Sequence, residues 1–350
     1  MPTINQQRRM PAEWEPQQAV LLAWPHQNSD WRPYLNDIQA TYVDLIRAIT
    51  AYEAVHIVAP DTTWLHDYLA SRLPKKHLQR VSMSAYTTDD TWARDFAHVT
   101  VVDGNSSTKA LAFRFNGWGG KFAAERDNKV TLHLEQDTDL LRFCEDHGDF
   151  VLEGGSIESD GKGTVMTTSQ CLLAPHRNQP LTQRQITARL KRWLGAKRVV
   201  WLQHGQLIGD DTDGHIDTLA RLAPDDTIIY IACDDSKDAH YAELKAMEKE
   251  LRKLRTLDGK PYRLLPLPLP DAIEYDGERL PATYANYLVI NGAVLCPTYG
   301  QPEKDAQALA TLQQAFPERE VIGIDSTVII RQHGSIHCLT MQYYPPKANG

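Results

Sequence analysis

VLLAWPHQNSDWRPYLNDIQATYVDLIRAITAYEAVHIVA, residues 20–59, reads as strand, helix, strand. Its ends, VLLAW (20–24) and VHIVA (55–59), are short, apolar and bounded by Pro, as buried strands are. Between them, residues 35–52 set Ile38, Tyr42, Leu45, Ile46 and Ile49 on one stripe at i, i+3/i+4 spacing, which gives a helix one apolar face. Buried strands that alternate with amphipathic helices indicate the α/β class.

The same texture continues along the chain. VTVV (99–102), RVVWL (198–202), TIIYIA (227–232), YLVIN (287–291) and VIGID (321–325) read as further buried strands. Residues 181–194, 239–255 and 303–316 read as helices, the second with Glu/Lys pairs suited to a wet face. The extra strands between helices suggest ββαβ-like units, although no repeat is visible at the level of sequence. The Pro-rich stretch 266–270 (PLPLP) reads as a loop, and no Ser/Gly linker divides the chain, so residues 1–350 are expected to form a single domain.

Composition narrows the partners. The 350 residues are 42% hydrophobic and 23% charged, ample for a real core. A formal charge of -8 disfavours nucleic acid and anionic membranes. No apolar run approaches the ~18 residues of a membrane span. The start, MPTINQQRR, has no apolar leader, so the expected compartment is the cytoplasm. Five cysteines, at 144, 171, 233, 296 and 338, are odd in number and widely spaced, against a disulfide framework. No CxxC or HExxH suggests a structural metal.

Four segments pair turn residues with reactive ones, the usual setting for a site on an α/β scaffold. In DDTWARDF (89–96), Asp95 can accept hydrogen bonds from a planar cation, or simply pair with Arg94. In VLEGGS (151–156), Glu153 precedes Gly154 and Gly155, which permit close backbone approach, or it is a solvated turn residue. In DDTDGHID (210–217), His215 and Asp217 share a face if the segment is extended, and a His among carboxylates suits general acid–base work. An acidic surface loop is the plainer alternative. In HGSIHCLTMQ (333–342), Cys338 is either a buried hydrophobe or a nucleophile. His337 is adjacent, so in an extended segment it points away from Cys338, which makes His215 the natural candidate for a base.

The ordered set Arg94-Asp95, Glu153-Gly154-Gly155, His215-x-Asp217 and GSIHC ending at Cys338 resembles the guanidino-group-modifying superfamily. The resemblance is nearest to agmatine deiminases and related bacterial peptidyl-arginine deiminase-like proteins. It extends through MPAEWEPQQAVLLAWP (10–25), NGWGGKF (116–122), LEGGSIESDGKGTVMTTSQCLL (152–173) and GDDTDGHIDTLARL (209–222), from about residue 10 to residue 345. The resemblance implies a five-bladed, pseudo-symmetric α/β propeller of ββαβ units around a central channel. It also implies a homo-oligomer, commonly a dimer, with neither metal nor organic cofactor.

On that resemblance, Asp95 and Asp217 grip a small guanidinium substrate, Cys338 attacks its central carbon and His215 serves as acid and then base, oriented by Glu153. Asp211 takes the position of an acidic residue that meets the distal amine of agmatine, Trp92 is a candidate to stack on the substrate, and Trp118 is expected in the core. Asp211 stands where some members carry Glu, and His333-Gly334-Ser335 where many show Gly-Gly-Asn. The competing expectations are an arginine or peptidyl-arginine deiminase, a different Cys–His hydrolase, and an inactive binding protein.

Overall fold

In the computed structural model, which describes residues 8–104, 107–141 and 144–345, the opening stretch forms a strand at Ala19–Ala23, a helix at Leu35–Thr50 and a strand at Ala54–Ala59. Residues 1–7, part of the segment read for a leader, lie outside the described residues. Ile38, Tyr42, Leu45, Ile46 and Ile49 are all buried on the helix's inner face. At ~1.5–3 kcal/mol for each large apolar side chain removed from water, this seam fixes the helix to its sheet. The two strands pair in parallel, as a strand–helix–strand crossover requires.

This arrangement recurs. One sheet joins Val99–Val102, Thr108–Arg114 and Cys144–Val151, and the next joins Glu158–Ser159, Thr164–Thr168 and Arg198–Leu202. Two more join Ala220–Ala223, Thr227–Ala232 and Arg263–Pro268, then Leu288–Ile290, Ala293–Thr298 and Glu320–Asp325. In each, the first two strands are antiparallel and the third joins the second in parallel. A helix fills each parallel crossover: Val130–Asp137, Gln183–Leu194, Tyr241–Lys253 and Pro302–Ala315. The first sheet follows the same rule with its chain order split. Thr340–Tyr343 supplies its antiparallel strand against Ala19–Ala23, and Val81–Ala85 extends its far side. Five ββαβ units result, although their sequences are not visibly repeated.

The segment 266–270, expected to be a loop, lies partly in the strand Arg263–Pro268. Proline donates no N–H, but this strand is at the edge of its sheet. Pro266 and Pro268 are two apart, so both missing donors face the same, unpaired side. Local chemistry sets the helix ends. Thr182 and Gln185 form a reciprocal capping box at the start of Gln183–Leu194. Gly195 ends that helix at φ 67°, and a methyl there would collide with the Arg8 carbonyl, so only glycine fits. Among the described residues no helix is long and apolar enough to cross a membrane.

The residues just ahead of the first strand occupy equivalent places in each unit: Asp95, Glu153 with Gly155, His215 with Asp217, Asn286 and Cys338.

Candidate active site

Gly155 lies where these segments meet. A methyl built on it would stand 2.7 Å from His215 Nδ1, 2.9 Å from Asp95 Oδ1 and 3.0 Å from Asp217 Oδ2. Only a residue without a side chain lets these three groups share one point. Asp95, in the short helical turn Ala93–Phe96, is buried and not paired with Arg94, whose Nε donates instead to the His337 carbonyl. Asp95 Oδ1 accepts from Gly155 N at 3.0 Å and Oδ2 from Trp118 Nε1 at 2.9 Å. Burial pushes the Asp95 carboxyl up to about 6, opposed by the nearby His215 and aided by Asp217.

His215 and Asp217 do not lie on one face of extended chain, the arrangement expected if the segment were a strand. His215 precedes a 3₁₀ turn at Ile216–Thr218, and the turn, closed by Thr218 N to the His215 carbonyl, carries both side chains toward Gly155. The segment is not an acidic surface loop at this end, since both residues are fully buried. Asp217 Oδ2 accepts from His337 Nδ1 at 2.7 Å, while its Oδ1 has no partner. A buried carboxylate oxygen without a donor is costly unless a cation meets it.

Cys338 Sγ stands 3.8 Å from Asp217 Oδ2 and 3.2 Å from Asn286 Nδ2. The segment around it is a turn rather than extended chain, closed by Leu339 N to the Ser335 carbonyl and Thr340 N to that of His337. The His337 ring engages Asp217 and Glu13. Burial, then the negative charges of Asp217 and Asp95, hold the Cys338 thiol well above its ordinary pKa. Sulfur is therefore protonated at rest, and two carboxylates are poised beside it for a positive group.

Burial alone would pull the His215 pKa down. The charges of Asp95, Cys171 and Glu153 override it and raise the imidazole to about 10. His215 Nδ1 is 3.7 Å from Asp95 Oδ1. Glu153 is not a solvated turn residue: it is fully buried, with Oε1 accepting from Arg177 Nε at 2.8 Å and Oε2 unpartnered. One ligand atom each of Glu153, Cys171 and His215 lie within 4.8 Å of one another, the donor types of a divalent-ion site. The Arg177 guanidinium, also bonded to Asp213 Oδ2 at 2.6 Å, already supplies a cation there.

A cavity of about 130 Å³ leads to Cys338, lined by Trp92, Trp118, Asp30, Asp90, Asp95 and Asp211 among others, with no lysine or arginine among its described lining residues. Asp211 is half exposed, 3.8 Å from His333 Nδ1. Burial pushes the Asp90 carboxyl up to about 6. Trp92 packs its ring on Gly334, where a methyl would come within 2.2 Å of the indole. Trp118, expected in the core, is buried but also faces the cavity and holds Asp95. It does so in a left-handed conformation, φ 53°, between Gly117 and Gly119, a strain of ~1 kcal/mol that its indole hydrogen bond helps to hold. Asn286, Arg177, Glu13 and the ring of His337 were not singled out from the sequence. Only position relative to the strand YLVIN could have pointed to Asn286, and nothing local pointed to Arg177.

A family model for Porphyromonas-type peptidyl-arginine deiminases matches residues 9–345. The agmatine deiminase of Pseudomonas aeruginosa (strain LESB58) is 33% identical over 362 residues, covering 97% of this chain and 96% of that one. A crystal structure of a candidate arginine deiminase from Porphyromonas gingivalis superposes with a TM-score of 0.90 at 45% identity, covering 97% of this chain and 99% of that one. A cysteine-to-serine variant of the C. jejuni agmatine deiminase with substrate bound gives 0.89 at 37% identity, covering 97% of each. The mixed α/β fold is thus that of these deiminases. Matched along nearly its whole length in both sequence and fold, the chain belongs to the Porphyromonas-type peptidyl-arginine deiminase family.

Proposed function

We propose that the protein is an agmatine deiminase, which hydrolyses agmatine to N-carbamoylputrescine and ammonia through a covalent intermediate on Cys338. The observation that carries this is a thiol beside two buried carboxylates, at the inner end of a cavity with further carboxylates and no lysine or arginine among its described lining residues. Such a cavity suits a substrate cationic at both ends and repels the carboxylate of free arginine.

The guanidinium enters between Asp95 and Asp217, each offering an oxygen to its N–H edges. Its charge offsets the two that hold the thiol protonated, so Cys338 ionises when substrate is in place, giving its proton to water and regaining one when the urea departs. The thiolate attacks the central carbon. His215, charged at neutral pH, gives its proton to the departing nitrogen, and ammonia leaves. The remaining S-alkylthiouronium is attacked by water, whose proton His215 takes, and the C–S bond breaks to give the urea. Glu153, itself held by Arg177, favours the charged imidazole. Asp211 meets the distal ammonium, and Trp92 flanks the alkyl chain.

The repeated strand order and the convergence of the five pre-strand segments support closure into a five-bladed propeller around a central channel, with the whole chain as one catalytic domain. The family resemblance carries the further proposals of a homodimer in the cytoplasm. Ammonia release from agmatine, arginine and a blocked arginine peptide, on wild type and Cys338→Ser, tests the function. Agmatine is expected to be fastest, with turnover lost in the variant. Should arginine or the peptide outpace agmatine, the substrate assignment fails, and turnover by Cys338→Ser would remove the nucleophile.

A further inference from the structure

Asp217 is held through one oxygen only. Oδ2 faces His337 Nδ1 at 2.7 Å, and Oδ1 has no partner among the described groups. Arg221 Nη2, a donor only, stands 3.0 Å from Nε2, so that nitrogen accepts and the ring's hydrogen sits on Nδ1, which donates to Asp217. His337 is itself pinned from behind. Its Nε2 stands 2.8 Å from Glu13 Oε2 and 3.0 Å from Arg221 Nη2.

These two anchors are also fixed. Glu13 Oε1 accepts from Val289 N at 2.7 Å, and Oε2 pairs with Arg221. Arg221 Nη1 donates to the carbonyls of Ala285 and Tyr287 at 3.1 and 2.7 Å, and its Nε pairs with Glu158. The group spans the Glu13 segment, the strands Glu158–Ser159, Ala220–Ala223 and Leu288–Ile290, and the turn before Thr340–Tyr343. His337, Arg221 and Asp217 are buried, and the Glu13 side chain is nearly so. Such a lattice of charge-assisted bonds leaves the imidazole one orientation.

We infer that Glu13 and His337 are positioning residues: they hold the Asp217 carboxylate through Oδ2, the oxygen 3.8 Å from Cys338 Sγ, so that the carboxylate meets the guanidinium without further reorganisation. The inference rests on the reading of Asp217 as half of the guanidinium clamp. It also gives the MPAEWEPQ segment a part in substrate binding, although it lies over 300 residues from the nucleophile in sequence. Preorganisation of this kind tightens binding by removing the cost of ordering the group at the moment of contact.

The test measures agmatine binding by calorimetry on a Cys338→Ser background, with steady-state KM and kcat on otherwise native enzyme. His337→Gln removes the donor at the Nδ1 position and is expected to weaken agmatine binding about tenfold, the loss of a hydrogen bond to a charged group. KM should rise more than kcat falls. His337→Asn places an amide N–H near the Nδ1 position and should bind within about threefold of the parent. Glu13→Gln, which removes the anchor's charge but keeps its shape, should weaken binding by a factor between these two.

Coupling separates positioning from mere structural support. On top of Asp217→Asn, His337→Gln should cost nothing more, because its effect acts through the carboxylate. If His337→Gln binds agmatine as tightly as its parent, or weakens it equally with and without Asp217, the inference is overturned while the clamp stands. If Asp217→Asn itself leaves agmatine binding unchanged, the clamp reading fails first, and this inference with it.

Discussion

Replacing Gly155 by alanine would cripple the enzyme without breaking its backbone. Gly155 is not among the glycines in the left-handed region, so alanine meets no conformational penalty there. The methyl would meet His215 Nδ1, Asp95 Oδ1 and Asp217 Oδ2 at 2.7, 2.9 and 3.0 Å. Each must retreat by roughly half an ångström to reach ordinary contact. None can do so freely: Asp95 is bonded to Gly155 N and Trp118 Nε1, Asp217 to His337, and His215 is fully buried. A misplacement approaching 1 Å costs about 100-fold in rate, or ~2.7 kcal/mol in the barrier. Overpacking should take a further ~1–3 kcal/mol from stability. Steady-state ammonia release from agmatine, with a thermal melt of the same preparation, measures both. A Gly155→Ala enzyme within threefold of wild-type kcat/KM would show that these three groups do not jointly hold the substrate.

The pH profile of kcat/KM should be bell-shaped, falling as acid neutralises Asp95 through about 6 and as alkali strips His215 through about 10. An alkaline limb near neutrality would contradict the charged resting imidazole. The raised His215 pKa also makes a stabilising contribution that is complete below its ordinary value near 6.5 and fades as pH climbs through about 10, visible as a falling denaturant midpoint over that interval. Asp211→Asn should raise KM for agmatine about tenfold yet leave butylguanidine, which lacks the distal ammonium, unaffected; equal losses for both would remove Asp211 from amine recognition. Arg177→Met should destabilise the fold by ~3–5 kcal/mol, since it strands buried Glu153 and frees Asp213, and an unchanged urea midpoint would refute that.

The strands read from sequence were those whose apolar runs are unbroken, and VTVV, RVVWL and TIIYIA match their observed bounds. Strands such as Thr108–Arg114 and Thr164–Thr168 escaped because Thr, Lys and Arg interrupt them, and Arg263–Pro268 because its prolines mimic a loop. Each helix read lies within two residues of an observed one, because a stripe at 3.6-residue spacing is a strong local signal. Asp95, Glu153, His215, Asp217 and Cys338 are singled out in the sequence only as an ordered set and through the family resemblance that set carries, since each alone has a plainer reading. Their partners are not. Arg177 looks like any basic residue in a polar stretch, Asn286 like a turn residue, and Glu13 like any charge ahead of the first strand. What makes them matter is long-range contact, which leaves no periodic trace in the chain.

The strand that completes the first sheet, Thr340–Tyr343, begins two positions after Cys338, the proposed nucleophile. A ribosome delivering this chain has therefore already released both aspartates, the imidazole and Glu153 before sulfur emerges. On the proposed role of Cys338, a chain cut short before residue 338 lacks both the sulfur and the strand that pairs with Ala19–Ala23, so it turns over no substrate.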